Sequence, residues 1–335
     1  MRNRRISFAP KGVFACVLYF FQDLDAPARQ KVPHRRPNIV KFGYYTKVRF
    51  LLIPYLLGML FLVFIPAGIS FGFAFFHYDG IKPPFWAGTL NFILAYTDEI
   101  FSLSVRNSLA LIILPVPLRV LTMFLAAWLA RGKGKTLNWL RGILYLPSIV
   151  PPVAYALAWL WILNPLFGPV NLILKAAGLY TPGWFADMNW SKPALALMMF
   201  WQIGEGFLVS LAAMQDMPKE LEEAAQLDGA TSRQVVWKLY LPMLAPILLL
   251  LAFRDAILIL QESFTIILVA TQGGPYYSTH TLPLFIYEQA FDLFSFGTAG
   301  AALWILYAIT GAVILYLFNT ARQWNVDLTD ETFVL

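Results

Sequence analysis

A single cysteine, Cys16, excludes an intrachain disulfide and leaves no thiol cluster for zinc or redox chemistry. Histidine is nearly as scarce. His34, His77 and His280 stand far apart and read as interfacial or loop residues, so no metal site is visible. Charge is in short supply too: 13% of residues are charged against 59% hydrophobic, and mean hydropathy is +0.63. An ordinary soluble domain carries about twice that charge. The length alone suggests two soluble domains, but the apolar runs argue for one polytopic bundle in a bilayer. Nor is there a phosphate loop. Gly132-Lys133-Gly134-Lys135-Thr136 comes nearest, yet a Walker A loop needs glycine where Leu129 stands. The segment reads as a basic turn, and no cofactor is expected on this chain.

The positive charge that is present is uneven. Arg2, Arg4, Arg5, Arg35 and Arg36 all precede Phe50, within a net charge of +6. Beside a hydrophobic span, such a tail marks the cytoplasmic side and meets anionic lipid rather than nucleic acid. Val13–Phe21 is too short to cross a bilayer and, with Ala26-Pro27-Ala28 after it, imitates a secretory signal. Cleavage there would expel the basic cluster Lys31–Arg49, so an interfacial or packed helix is expected.

Six runs are long enough to span, near Phe50–Phe76, Ser104–Ala130, Ile143–Leu163, Pro193–Met214, Pro242–Thr271 and Thr298–Thr320. Arg131, Lys133, Lys135 and Arg141 fall in one loop, and Lys219, Arg233 and Lys238 in another. The intervening segments 77–103, 164–192 and 272–297 carry only Lys82, Lys175 and Lys192. That asymmetry puts both termini inside. The expected fold is therefore an all-α polytopic membrane bundle. It divides into a basic segment 1–49, a first helix and outer loop 50–103, a transmembrane core 104–320 and a cytoplasmic tail 321–335.

One polar island interrupts the core: Pro218–Pro242, about as long as a membrane span. Pro218 suits a first helical turn, Glu220, Glu222 and Glu223 favour the positive helix end, and Gly229 is a stop. Thr231 and Gln234 then have capping-box spacing and restart a helix toward Pro242. Two short helices bent at a glycine resemble a docking knob.

These residues carry a family likeness. Glu223-Ala224-Ala225, Gly229 and Leu239-Tyr240-Leu241-Pro242, at their spacing, resemble the EAA loop of ABC importer permeases, with leucine where isoleucine is usual. Leu146-Pro147 with Pro151, Asn164-Pro165 with Gly168 and Asn171, Leu211-Ala212 with Gln215, Asp228-Gly229-Ala230 and Thr271-Gln272-Gly273-Gly274-Pro275 extend the resemblance to the sugar-importer, maltose-permease-like branch. It implies a non-catalytic subunit of the plasma or inner membrane. Its expected partners are a second permease, two ATPase subunits that bind ATP and Mg, and an extracytoplasmic sugar-binding protein. Coupling to the ATPase is implied for Glu222, Glu223, Ala224, Ala225, Asp228, Gly229, Leu241 and Pro242, with Glu223 meeting a basic partner residue.

The spans beside the loop hold the polar residues of interest. Asp255, Ile259 and Glu262 recur at helical spacing, and Gln202 and Glu205 form a second strip. Ionisable groups at membrane depth face an interior or a water-filled path by default. Arg254, on an adjacent stripe with Gln261, is placed to neutralise a carboxylate of a neighbouring helix. By resemblance, Gln202, Glu205, Asp255, Ile259 and Glu262 match the substrate path. Asp255 and Glu262 either touch substrate or form structural ion pairs. Carboxylates and amides suit sugar hydroxyls, which both donate and accept hydrogen bonds, and Trp159, Trp161 and Trp304 are available for the sugar's C–H face. The alternative is an ion-coupled transporter using Glu205, Asp255 and Glu262 as a proton relay.

Overall fold

The computed structural model describes residues 50–323. The expectations for segment 1–49, including Val13–Phe21, and for residues 324–335 lie outside the described residues. Among the described residues four helices are long and apolar enough to cross a membrane, and up to six spans result if each of two bent pairs counts as one. The all-α expectation holds, apart from a two-residue antiparallel pairing of β1 (Phe76–His77) with β2 (Phe85–Trp86). Beyond it Asp79 accepts hydrogen bonds from the Lys82 and Ile81 N–H groups (2.8 and 3.0 Å), which hold its carboxyl below the usual range.

Helix α1 (Phe50–Phe73) contains a π-helical turn at Leu60–Phe64. The chain divides at Ile69 into two units, the second beginning at Ser70. In the second unit, α2 (Leu90–Thr97) leads to α3 (Glu99–Ile113), which starts earlier than the apolar run suggested. The reason is a cap: Asp98 accepts from the N–H groups of Ile100 (2.7 Å) and Phe101 (3.4 Å). Pro115 then opens α4 (Pro115–Ala130) at a first-turn position, where its missing N–H costs nothing.

The two bent pairs stand where spans three and four were expected. α5 (Lys135–Tyr145), ending in the tight turn Leu146–Ser148, meets α6 (Pro152–Ile162) at 101°. Pro147, Pro151 and Pro152 remove backbone donors, and Pro151 stands extended (ψ +140°) before Pro152, where the helix breaks. After α7 (Pro169–Ala176), α8 (Met188–Trp201) meets α9 (Gly204–Gln215) at 45°. This break has no proline. Gln202 leaves the helix at ψ +63°, Gly204 donates to Ser148 Oγ (2.9 Å), and Gly206 presses directly on Met123. Gly206→Val is expected to force Met123 aside and cost about 1–3 kcal/mol, seen as a lower melting temperature with the secondary structure unchanged.

The island Pro218–Pro242 also differs from expectation. Its first half is α10 (Lys219–Leu227), but its second half is not a separate helix ending at Pro242. Ser232–Gln234 and a π-helical turn Val235–Tyr240 run without a break into α11 (Leu241–Ala270). Pro242 lies inside this continuous helix, directly after the π-helical turn, where it removes one backbone donor. Short α12 (Leu282–Tyr287) and long α13 (Phe296–Gln323) complete the described chain. Two cores hold the second unit together. One joins α3, α8, α11, α12 and α13 through Phe101, Leu195, Leu260, Phe285 and Ala302. The other packs α4 on α9 and the start of α11 through Met123, Phe124, Phe207 and Leu244.

Candidate functional site

The α10 loop is built from local rules. Gly229 sits at φ +82°, and Ala230 donates back to the Ala225 carbonyl (2.9 Å), closing the helix in a left-handed turn. Thr231 and Gln234 exchange the two bonds of a capping box. Glu223, Ala224 and Asp228 are exposed on the outer face, whereas Ala225 packs against the second core. Leu241 is half-buried against that core, and Pro242 is exposed.

Glu222 turns inward. Both its oxygens accept from Arg131 (2.8 and 3.0 Å), a bidentate pair, and the Tyr240 hydroxyl donates to it as well (2.8 Å). The Arg131 guanidinium lies 3.3 Å from the Trp128 ring centroid, and Trp128 meets Tyr240 edge-on at 4.8 Å. So of the two adjacent acids, one is locked into the bundle and the other is free to meet a partner.

A second polar cluster lies at the α8–α9 break. Because the helix is interrupted, the Gln202 carbonyl has no helical partner, and Arg119 donates to it at 2.5 Å. Arg119 also pairs with Asp255 (3.2 Å), which is completely buried. Arg254 approaches the same carboxylate at 3.7 Å and pairs with Glu205 across α9 and α11, as the sequence suggested. Glu205 is more than half exposed, so that pair is water-screened and adds little stability. The buried pair is the consequential one, since without Arg119 the buried Asp255 keeps only the more distant Arg254.

A cavity of about 560 Å³ opens beside this cluster, lined by Arg119, Gln202, Glu205, Arg254, Ile259 and Gln261 among others. Three of the five expected path residues therefore line it. Asp255 is buried behind this lining as the counter-ion of Arg119. The Glu262 side chain lies outside the described residues. None of the tryptophans singled out in the sequence lines this cavity; Phe264 supplies its aromatic surface. Trp159 packs on Tyr155 (6.2 Å), Trp304 on Phe71 (4.7 Å), and Trp161 is exposed.

At the end away from α10, the loop after α11 is fixed from several sides. Buried His280 hydrogen-bonds Ser104 through Nδ1 (2.7 Å) and Glu288 through Nε2 (2.9 Å). Asn107 donates to the Tyr277 and His280 carbonyls (both 2.8 Å), and Ser108 accepts from Leu282 N–H (2.9 Å). The turn after α6 is held likewise. Asn164 caps Leu166 and Phe167, while Asn171 donates to the Pro165 and Pro182 carbonyls (3.2 and 2.9 Å). Asn171→Ala is expected to loosen this turn by about 1–2 kcal/mol, measured as faster amide exchange across 164–184 with the bundle unaffected.

Sequence reasoning gave no site role to Arg119, to Arg131, read there only as a loop charge, or to the Ser104–His280–Glu288 chain. Arg119 had a usable signal, being the one acidic or basic residue within α4. Arg131 and His280 had none: Glu222 lies 91 positions from Arg131 and Ser104 lies 176 from His280, and Glu288, eight positions from His280, forms no motif with it.

Residues 120–330 match the family described as binding-protein-dependent transport system inner membrane component. The chain is similar to a probable ABC transporter permease protein, YesP, of Bacillus subtilis, with 30% identity over 87% of this chain and 93% of the relative. It is also similar to the lactose transport system permease protein LacF of Rhizobium radiobacter, with 29% identity over 71% and 82%. Its fold resembles a bacterial ABC transporter involved in importing the acidic polysaccharide alginate, with TM-score 0.73, 24% identity, and 84% and 97% of the two chains covered.

Proposed function

The chain belongs to the binding-protein-dependent transport system inner membrane components, and on that premise we propose that it is a permease subunit of an ATP-driven sugar importer. Relatives named for ABC transport and for lactose support the substrate class. The observation that carries the coupling role is the exposed Glu223–Ala224 face of α10, held rigidly beside the ends of α4 and α11.

In this reading α10 docks on a separate ATPase subunit, two of which bind ATP and Mg. A second, homologous permease completes the path, and an extracytoplasmic binding protein delivers sugar at the end carrying the 164–184 and 271–281 loops. The chain itself is not catalytic. It sits in the inner membrane as a multi-pass protein with both termini and α10 on the cytoplasmic side, consistent with the lysines and arginines around 131–141 and 219–238. Glu223, Ala224 and Asp228 contact the ATPase, and Gly229 gives the turn. Gln202, Glu205 and Ile259 face substrate, because their cavity offers amide and carboxylate groups to hydroxyls.

Alternating access follows if the permease pair rocks when the ATPases close on ATP. The test is a mild-detergent pulldown from the native membrane with partners identified by mass. An ATPase and a second permease are expected together. A chain that arrives alone and transports without ATP would overturn the reading.

A further inference from the structure

The docking helix is tied to a span that is not its neighbour in sequence. Glu222 of α10 is gripped by Arg131, and Arg131 is the residue that ends α4. Twelve residues upstream on that helix is Arg119, which holds the Gln202 carbonyl and the buried Asp255. At about 1.5 Å per residue the two arginines are about 18 Å apart along one axis. Between them α4 has neither proline nor glycine, and Met123, Phe124 and Ala127 are buried in the second core.

The spans that flank the loop in sequence are softer. One is broken by 45° at Gln202, and the other begins with a π-helical turn and carries Pro242 and Pro246. Motion of α10 therefore has a stiff route and two compliant ones.

We propose that α4 is the rod that carries coupling-helix motion to the cavity, and that Arg131 is the positioning residue that fixes α10 to it. The proposal rests on the coupling reading of α10. A displacement of α10 by its partner moves Glu222, Arg131 and α4 together, and so shifts Arg119 against Gln202 and Asp255. Bidentate geometry and stacking on Trp128 are what make the joint rigid. A lysine would keep the charge and lose both.

The test uses the complex assembled in lipid nanodiscs with Cys16→Ser throughout. One nitroxide pair, Leu118→Cys with Leu157→Cys, reports α4 against α6 beside the cavity. A second, Leu129→Cys with Leu227→Cys, reports α10 against α4; all four positions are exposed. In the otherwise unmutated complex the first distance is expected to change on adding ATP and vanadate, and the second to stay narrow and unchanged. With Arg131→Lys, ATPase binding and hydrolysis persist, the first change disappears and the second distribution broadens.

A first pair that still moves in Arg131→Lys, or never moves at all, overturns the proposal. So does a second pair that shifts with nucleotide in the unmutated complex. If Arg131→Lys does not assemble, Glu222→Gln carries the same expectations, and failure of both to assemble assigns the contact to folding instead. An unmutated chain that captures no ATPase sinks the importer reading and is seen before any distance is measured.

Discussion

Arg119→Leu leaves Asp255 fully buried with its nearest guanidinium gone, and is expected to cost about 3–5 kcal/mol of stability. Arg254 compensates only in part, since it stands 3.7 Å from Asp255 and is also engaged with Glu205. The Gln202 carbonyl loses its donor as well. A thermal scan of the purified complex should show a large drop in melting temperature. Arg119→Leu with Asp255→Leu should recover most of it, because replacing both members of a buried pair by apolar groups is often close to neutral. The recovered double variant then separates stability from transport. If it melts normally but no longer takes up sugar, the pair serves the path. A single variant that melts normally would show that the cluster is wet and holds nothing together.

Glu223→Lys is expected to have the opposite profile. The side chain is exposed, so the variant should fold, insert and melt as the parent does. Under the proposed docking Glu223 faces a basic residue of the ATPase subunit, so reversing its charge replaces attraction with repulsion, and such juxtapositions cost several kcal/mol. Affinity for the ATPase subunit should fall by more than about a hundredfold, roughly 3 kcal/mol, and ATP-driven uptake should stop. Titrating the purified ATPase subunit against permease in nanodiscs measures this directly. Unchanged affinity would remove Glu223 from the coupling surface. Glu222→Gln, one residue away, should lower stability first, because Arg131 loses half of its ion pair.

The contrast between those two acids shows where sequence reasoning reaches its limit. Both favour a helix N-terminus and both belong to the same loop, so composition and spacing treat them alike. Their fates separate only because Arg131 and Tyr240 stand on one side of α10. Short-range features were legible for the same reason that they are short-range. The capping box at Thr231 and Gln234, the left-handed Gly229 and the spans themselves depend on residues within a few positions of each other. Breaks in the spans were harder. The 101° bend follows from Pro147, Pro151 and Pro152, which hydropathy averages away, and the bend at Gln202 has no proline to announce it. Asp255 was found as an unusual residue at membrane depth, but its burial behind Arg119 could be seen only after α4 and α11 were placed side by side.

The far-end loop has its own consequence. His280, Asn107, Ser108 and Thr279 hold the backbone from Thr271 to Leu282 at many points, while Tyr276 projects into the open with 84% of its surface exposed. A partner that meets this loop meets a shape already set, so little ordering entropy opposes contact. Recognition there depends on fit and lifetime rather than on moulding the loop after encounter. Improvements in affinity should then appear as slower departure, with the rate of arrival almost unchanged.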